Sequence, residues 1–203
     1  GADTITIDAL AGLTGTFVNG DSTVEGGAAD VITIGSQGNL SIVRGKDGAD
    51  TISITDLGPA ATVAGNDGAD VITVSGTFDD DAEVRGGKGH DAITLDETDL
   101  DGVSGDIIGG AGHDTITFAD EVVNNALITV AGAASIDSIT FSGVIGSGSD
   151  LGAIRIDSLS DSTADALDTY DVSGLGTDDN ATVDLVAGSD IGFVSAAAIS
   201  GNN

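Results

Sequence analysis

Seven copies of one short pattern run through the first two-thirds of this chain. They read GADTITI (1–7), AADVITI (28–34), GADTISI (48–54), GADVITV (68–74), GHDAITL (89–95), GHDTITF (112–118) and SIDSITF (135–141). Their aspartates are Asp3, Asp30, Asp50, Asp70, Asp91, Asp114 and Asp137, at steps of 27, 20, 20, 21, 23 and 23 residues. A tandem period of this length implies coils stacked on one another, each too small to bury a core alone.

A second apolar ladder precedes the motifs, at Val24, Val43, Val63, Val84, Ile107 and Val130. The motif isoleucines Ile52, Ile72, Ile93, Ile116 and Ile139 follow it at a constant gap of 9 residues; Ile32 follows Val24 at 8. One connection is therefore expected to be fixed in length, while the opposite one (TDLGPAA, SGTFDDDA, DETDLDGVSG) reads as an irregular turn that tolerates insertion. Within each motif apolar residues alternate with threonine or serine, the pattern of a half-buried strand, and β-branched residues dominate. The fold expected is all-β: a right-handed parallel β-roll or β-solenoid with two short strands per coil of about 20–23 residues. Ile5, Ile7, Ile52, Ile54, Ile116 and Phe118 should point inward, with Thr6, Ser53, Thr73, Thr94 and Thr117 outward.

Charge is the obstacle to that fold. The chain carries 34 acidic and 5 basic residues, a formal net charge of −29. Such a molecule repels nucleic acid and offers no basic face to an anionic membrane. A 40% hydrophobic share nevertheless allows a core once the charge is offset. With no cysteine, disulfide and thiolate frameworks are excluded. No run of 18 apolar residues suggests a membrane span, and no basic-then-apolar leader opens the chain, which begins inside a repeat as if processed or excerpted.

Stacking puts Asp50, Asp70, Asp91 and Asp114 in one column. Two bare carboxylates ~5 Å apart repel by roughly 3 kcal/mol at an effective dielectric of 20, so the column must be protonated, splayed into water or bridged by cations. Glycine carbonyls together with carboxylates suit a hard cation, calcium above all, and glycine permits the positive-φ turn that aims such carbonyls inward.

At these residues the chain resembles the calcium-binding β-rolls of RTX proteins, whose nonapeptide is G-G-x-G-x-D-x-apolar-x. GGKGHDAIT (86–94) and GGAGHDTIT (109–117) fit throughout; GKDGADTIS (45–53) and GNDGADVIT (65–73) lack only the second glycine. EGGAADVIT (25–33) and GAASIDSIT (132–140) depart further, and these degenerate turns read as ion-free ends. The resemblance covers about residues 1–141 and implies several Ca2+ ions, each between adjacent coils. Asp50, Asp70, Asp91 and Asp114 would supply carboxylates. The turns 45–49, 65–69, 86–90 and 109–113, with Gly45, Gly48, Gly65, Gly68, Gly86, Gly89, Gly109 and Gly112, would supply carbonyls. Asp30, Asp47 and Asp67 are further candidates. Because the opposite turn lacks the pattern, one main calcium row is expected. The acidic runs Asp79–Asp81 and Asp96–Asp101 read as solvated loops.

Other chemistries fit less well. His90 and His113 occupy equivalent places in successive coils, but no third histidine completes a zinc site. The glycine-rich turn leads into a strand, not into the helix N-terminus that a phosphate loop requires. No nucleophile, base and oxyanion set can be assembled, so no enzyme is expected. The outward Thr column resembles the flat faces of ice-binding solenoids, and could equally be an assembly surface. Residues 142–203 repeat less clearly and are expected to form an irregular β-rich continuation or cap, apart from the solenoid at 1–141.

The functional expectation is a structural protein whose coils assemble with copies of themselves into a surface layer, sheet or filament. A bacterial cell-surface location and secretion by the type I route are implied by the resemblance; cell-surface polysaccharide is a further candidate partner. The alternatives are the repeat portion of a larger secreted adhesin, toxin or hydrolase, and an ice-binding solenoid.

Overall fold

A computed structural model describes residues 1–10, 12–20, 27–96 and 104–119 in full, together with the backbone of six further strands between 127 and 195. The described strands form two parallel sheets, and successive strands alternate between them. The first sheet runs β1 (Thr4–Ile7), β3 (Val31–Gln37), β5 (Thr51–Leu57), β7 (Val71–Val74), β9 (Ala92–Leu95), β11 (Thr115–Phe118), β13 (Ser138–Phe141), β15 (Asp168–Asp171) and β17 (Ile191–Ser195). The second runs β2 (Phe17–Asn19), β4 (Ile42–Asp47), β6 (Thr62–Asp67), β8 (Ala82–Lys88), β10 (Ser104–Ala111), β12 (Leu127–Ala134), β14 (Ala153–Asp157) and β16 (Thr182–Val186). Each coil thus gives one strand to each sheet, and the protein is an all-β parallel solenoid. Beyond residue 141 the strands continue the same two sheets.

Alternation in sequence becomes alternation in burial because the pleat sends successive side chains to opposite faces. In β5 and β7, Ile52, Ile54, Ile72 and Val74 are buried, while Thr51 and Val71 face water. Register holds like against like: Ile5, Ile32, Ile52, Ile72, Ile93 and Ile116 pair coil to coil. Val43, Val63, Val84 and Ile107 form the facing column. The two columns meet in one continuous core. Ile5 and Ile7 are only half-buried against it.

Two expectations change. Val18, not Val24, stands in the column with Val43; Val24 lies outside the described residues. An insertion therefore falls in the first copy of the connection expected to be constant. The signal was present as V-x-G in FVNG (17–20), matching IVRG (42–45), and the motif-to-valine gap alone missed it.

The second correction concerns the opposite connection, which repeats a single corner. In three successive coils a carbonyl accepts the N–H three residues on: Gly38 from Ser41, Gly58 from Ala61, and Asp79 from Ala82. The third residue of each corner has positive φ, Leu40 (54°), Ala60 (52°) and Asp81 (58°), and Gly15 (69°) holds the same place in the first coil. Its N–H then bonds the next coil, Leu40 to the Pro59 carbonyl and Ala60 to that of Asp80. The corner was hidden because three of its four left-handed positions carry no glycine, where a turn of this kind ordinarily advertises one. Asp80 and Asp81 close it against the following coil, accepting from the Ser104 N–H (3.1 Å) and hydroxyl (3.3 Å). Residues 97–103, with most of the second acidic run, lie outside the described residues.

Candidate metal centre

Each motif turn leaves the second sheet and enters the first within six residues, through two left-handed positions. The second residue of the turn has φ of 90° at Lys46, 83° at Asn66, 124° at Gly87 and 118° at Gly110. The fourth has φ of 131° at Gly48, 149° at Gly68, 135° at Gly89 and 133° at Gly112. Lys46 and Asn66 hold the backbone conformation that glycine takes in the later coils, so the missing second glycine changes strain and leaves the path of the chain intact.

That path swings the motif aspartates inside. Asp30, Asp50, Asp70, Asp91 and Asp114 are 1–2% exposed. One oxygen of each is committed to the preceding coil. Asp50 Oδ1 accepts the Asp30 N–H at 2.8 Å, Asp70 Oδ1 that of Asp50 at 2.8 Å, Asp91 Oδ1 that of Asp70 at 2.8 Å, and Asp114 Oδ1 that of Asp91 at 2.9 Å. Asp30 does the same for Asp3 at 2.7 Å. The other oxygen, Oδ2, is buried and accepts no hydrogen bond in Asp30, Asp70 and Asp91. Burying an acceptor without a donor costs about 1–3 kcal/mol, more when it is charged.

The first glycine of each turn keeps a space open over these oxygens. A β-carbon on Gly65 would collide with Asp70 Oδ2 and lie 2.6 Å from the carbonyl oxygen of Gly86 in the next coil. Gly45 stands in the same relation to Asp50 Oδ2 and the Gly65 carbonyl (2.9 Å), and Gly86 to Asp91 Oδ2 and the Gly109 carbonyl. Gly20 does so for Asp30 and the Gly45 carbonyl, ten residues ahead of its aspartate rather than five. Sequence reasoning missed Gly20, having placed the first turn at 25–30. Every cradle is therefore lined by a carboxylate oxygen of one coil and a glycine carbonyl oxygen of the next.

The remaining candidates are placed differently. Gly48, Gly68 and Gly89 turn their carbonyls against the next coil's glycine, where a β-carbon on Gly68, Gly89 or Gly112 would overlap them. The N–H groups of Gly48, Gly68 and Gly89 bond the Asp67, Lys88 and Ala111 carbonyls. These glycines let the coils approach closely. Asp47 and Asp67 are exposed, outside the buried column, and Asp67 is bridged by Lys88 at 2.9 Å. Asp137 lies outside the described residues.

Electrostatics agree with the geometry. Burial pushes the Asp70 carboxyl up to about 7; the Asp50 N–H opposes this, and the charges of Asp91, Asp50 and Asp67 add to it. Burial likewise raises Asp114 to about 6, against the Asp91 N–H and both histidines. Asp91 is raised by burial, against the Asp70 N–H and His90. These carboxyls hold protons more tightly than free aspartate does, unless a cation takes the proton's place.

The donor set is oxygen alone, carboxylate plus carbonyl, which suits Ca2+ better than softer metals. Among the described residues no three His, Cys, Asp or Glu side chains converge on one point. The exposed rings of His90 and His113 stack at 5.0 Å, 2° from parallel, with the His113 N–H donating to His90 Nδ1 at 3.3 Å. Compared with protein-family models, curated proteins and solved structures, the chain matches none.

Proposed function

We propose that this chain is a calcium-stabilised structural solenoid, an extracellular subunit that assembles with its own copies into a layer, sheet or filament. The observation that carries the calcium part is the column of buried carboxylates. The Oδ2 atoms of Asp30, Asp70 and Asp91 face no donor, beside cradles that glycine keeps open and glycine carbonyls line. A cation there would be held by Asp70 with Gly86, by Asp91 with Gly109, and so along the stack, tying each coil to the next. It would supply the positive charge that Asp30, Asp50, Asp70, Asp91 and Asp114 need in order to be buried ionised. The resemblance to RTX nonapeptides supports the same ion and an extracellular setting, where calcium is abundant enough to fill sites of roughly 10⁻⁴–10⁻³ M affinity.

The test is circular dichroism and small-angle scattering of the protein titrated with calcium and then chelated, with calorimetry counting the ions. Calcium should produce sheet signal and compaction, and chelation should remove both. Full retention of sheet in excess chelator would sink the calcium account. Assembly is read separately, by electron microscopy of the calcium-loaded protein.

A further inference from the structure

We infer that the outer face of the first sheet, over β1, β3, β5, β7, β9 and β11, is the surface through which two copies of this chain meet, sheet against sheet. The inference rests on the assembly reading above and assigns the face that would perform it.

Charge is the first argument. In a chain of net charge −29, the outward positions of the four-residue stretch that pairs from Thr4–Ile7 through to Thr115–Phe118 hold only threonine, serine, valine and alanine. Acidic residues flank that stretch, at Asp3, Asp8 and Asp96, and at Asp56 near the end of β5, whose carboxylate accepts from the Ser36 hydroxyl and from the Thr77 N–H and hydroxyl. The outer face of the second sheet, by contrast, carries Arg44, Glu83, Arg85 and Asp106. Molecules so alike in charge repel least where neither presents any.

Shape and exposure agree. Register runs unbroken from Thr4–Ile7 to Thr115–Phe118, so side chains stand in straight columns along the stack. One column is Thr6, Thr33, Ser53, Thr73, Thr94 and Thr117. In the other, Val31 and Val71 are 43% and 45% exposed, large for apolar residues on a regular sheet. β-Branched side chains lose little freedom when covered, and small ones let two sheets close to the ~10 Å of aligned packing. The backbone of β13 pairs in register with Thr115–Phe118, which adds a seventh strand to the sheet. Seven strands at ~4.8 Å and four residues at ~3.3 Å give roughly 900 Å² shared between two copies, the low end for a specific interface. Pairing should therefore be weak and concentration-dependent, and should grow with the number of coils apposed.

Sedimentation velocity over a range of concentrations in calcium tests this with the wild type, T33K/T73K/T117K, and a charge-matched control on the other sheet, I42K/T62K/I108K. The wild type and control should associate alike, and the face variant at least tenfold more weakly, with all three showing the same sheet signal. Should the triple variants fail to fold, single cysteines serve, since the chain has none of its own: under mild oxidation T73C should cross-link into dimers and T62C should not. Association of the face variant equal to wild type overturns the face and leaves assembly standing. Wild type that stays monomeric in calcium overturns both. Ice faceting, or sedimentation with an insoluble neutral polysaccharide, by such monomers reassigns the face to that partner.

Discussion

A carboxyl raised to about 7 in a folded chain has a definite consequence for stability. Asp70 in the metal-free solenoid binds its proton well above the ordinary value of 3.8. Between those two values the native state holds more protons than the unfolded one, so stability falls as pH rises. Below pH ~4 both states are protonated, and above ~7 both are ionised, so the dependence flattens outside that window. Asp114, raised to about 6, acts in the same direction over a narrower range. Chelated protein should therefore melt highest near pH 4 and progressively lower toward pH 7; calcium-loaded protein should show the opposite trend, because the ion requires the ionised carboxylate. Thermal melts across pH, with and without calcium, check both signs. Asp70→Asn separates the roles further: Oδ1 survives as an acceptor for the Asp50 N–H while the charge is gone. At pH 8 in chelator it should recover part of the sheet signal that the wild type loses, and in calcium it should destabilise by roughly 1–3 kcal/mol. Loss of stability in both conditions would mean that the carboxylate serves only its hydrogen bond.

At the level of the coil, two kinds of turn alternate and each stores backbone strain. Ala60, at φ 52° after Pro59, occupies a left-handed position that costs an L-residue about 1–2 kcal/mol. Ala60→Gly should stabilise by about 0.5–1 kcal/mol once glycine's extra freedom in the unfolded chain is subtracted. Asn66→Gly, which restores the second glycine of the nonapeptide, should behave likewise, with no loss of calcium affinity. The first glycine is different. Gly65→Ala places a methyl against Asp70 Oδ2 and the Gly86 carbonyl, so it should lower both stability and the number of ions bound, as read by calorimetry. Beneath the turns, Ile72 is wholly buried, and Ile72→Ala should cost about 2–5 kcal/mol in denaturant melts of the calcium-loaded protein. Much of this is legible in the sequence. The motif turn could be read because the copies ending at Asp50, Asp70, Asp91 and Asp114 keep glycine and aspartate at fixed spacing. The opposite corner could not, because GNLS, GPAA and DDDA share a conformation and not a residue. Gly20 was overlooked for a related reason: an insertion moved it from five to ten residues before Asp30, while its place beside Val18 stayed constant.

For the molecule as a whole, the distinction to draw is between screening and binding. Monovalent salt at 0.15 M shrinks the reach of exposed charges to ~8 Å, but it has little effect on carboxylates that are 1–2% exposed. High sodium chloride with chelator should therefore fail to reproduce what millimolar calcium does to sheet content and compaction. If sodium chloride alone restored the compact state, the −29 charge in general, and not the aspartate column, would be the barrier to folding.

Sequence by itself determined the coil. A period of 20–23 residues, alternation of isoleucine with threonine, and an aspartate at one phase leave stacked parallel strands as the arrangement that buries the apolar half of each motif. The tertiary structure decided what lies between coils. That Asp70 gives one oxygen to the Asp50 N–H and keeps the other buried beside the Gly86 carbonyl depends on residues about 20 apart meeting across a ~4.8 Å step. Periodicity can place residues in one column, but it does not say which atoms in that column touch. That is set by the backbone conformation of the turns, where Lys46 and Asn66 follow the path that glycine takes in the later coils.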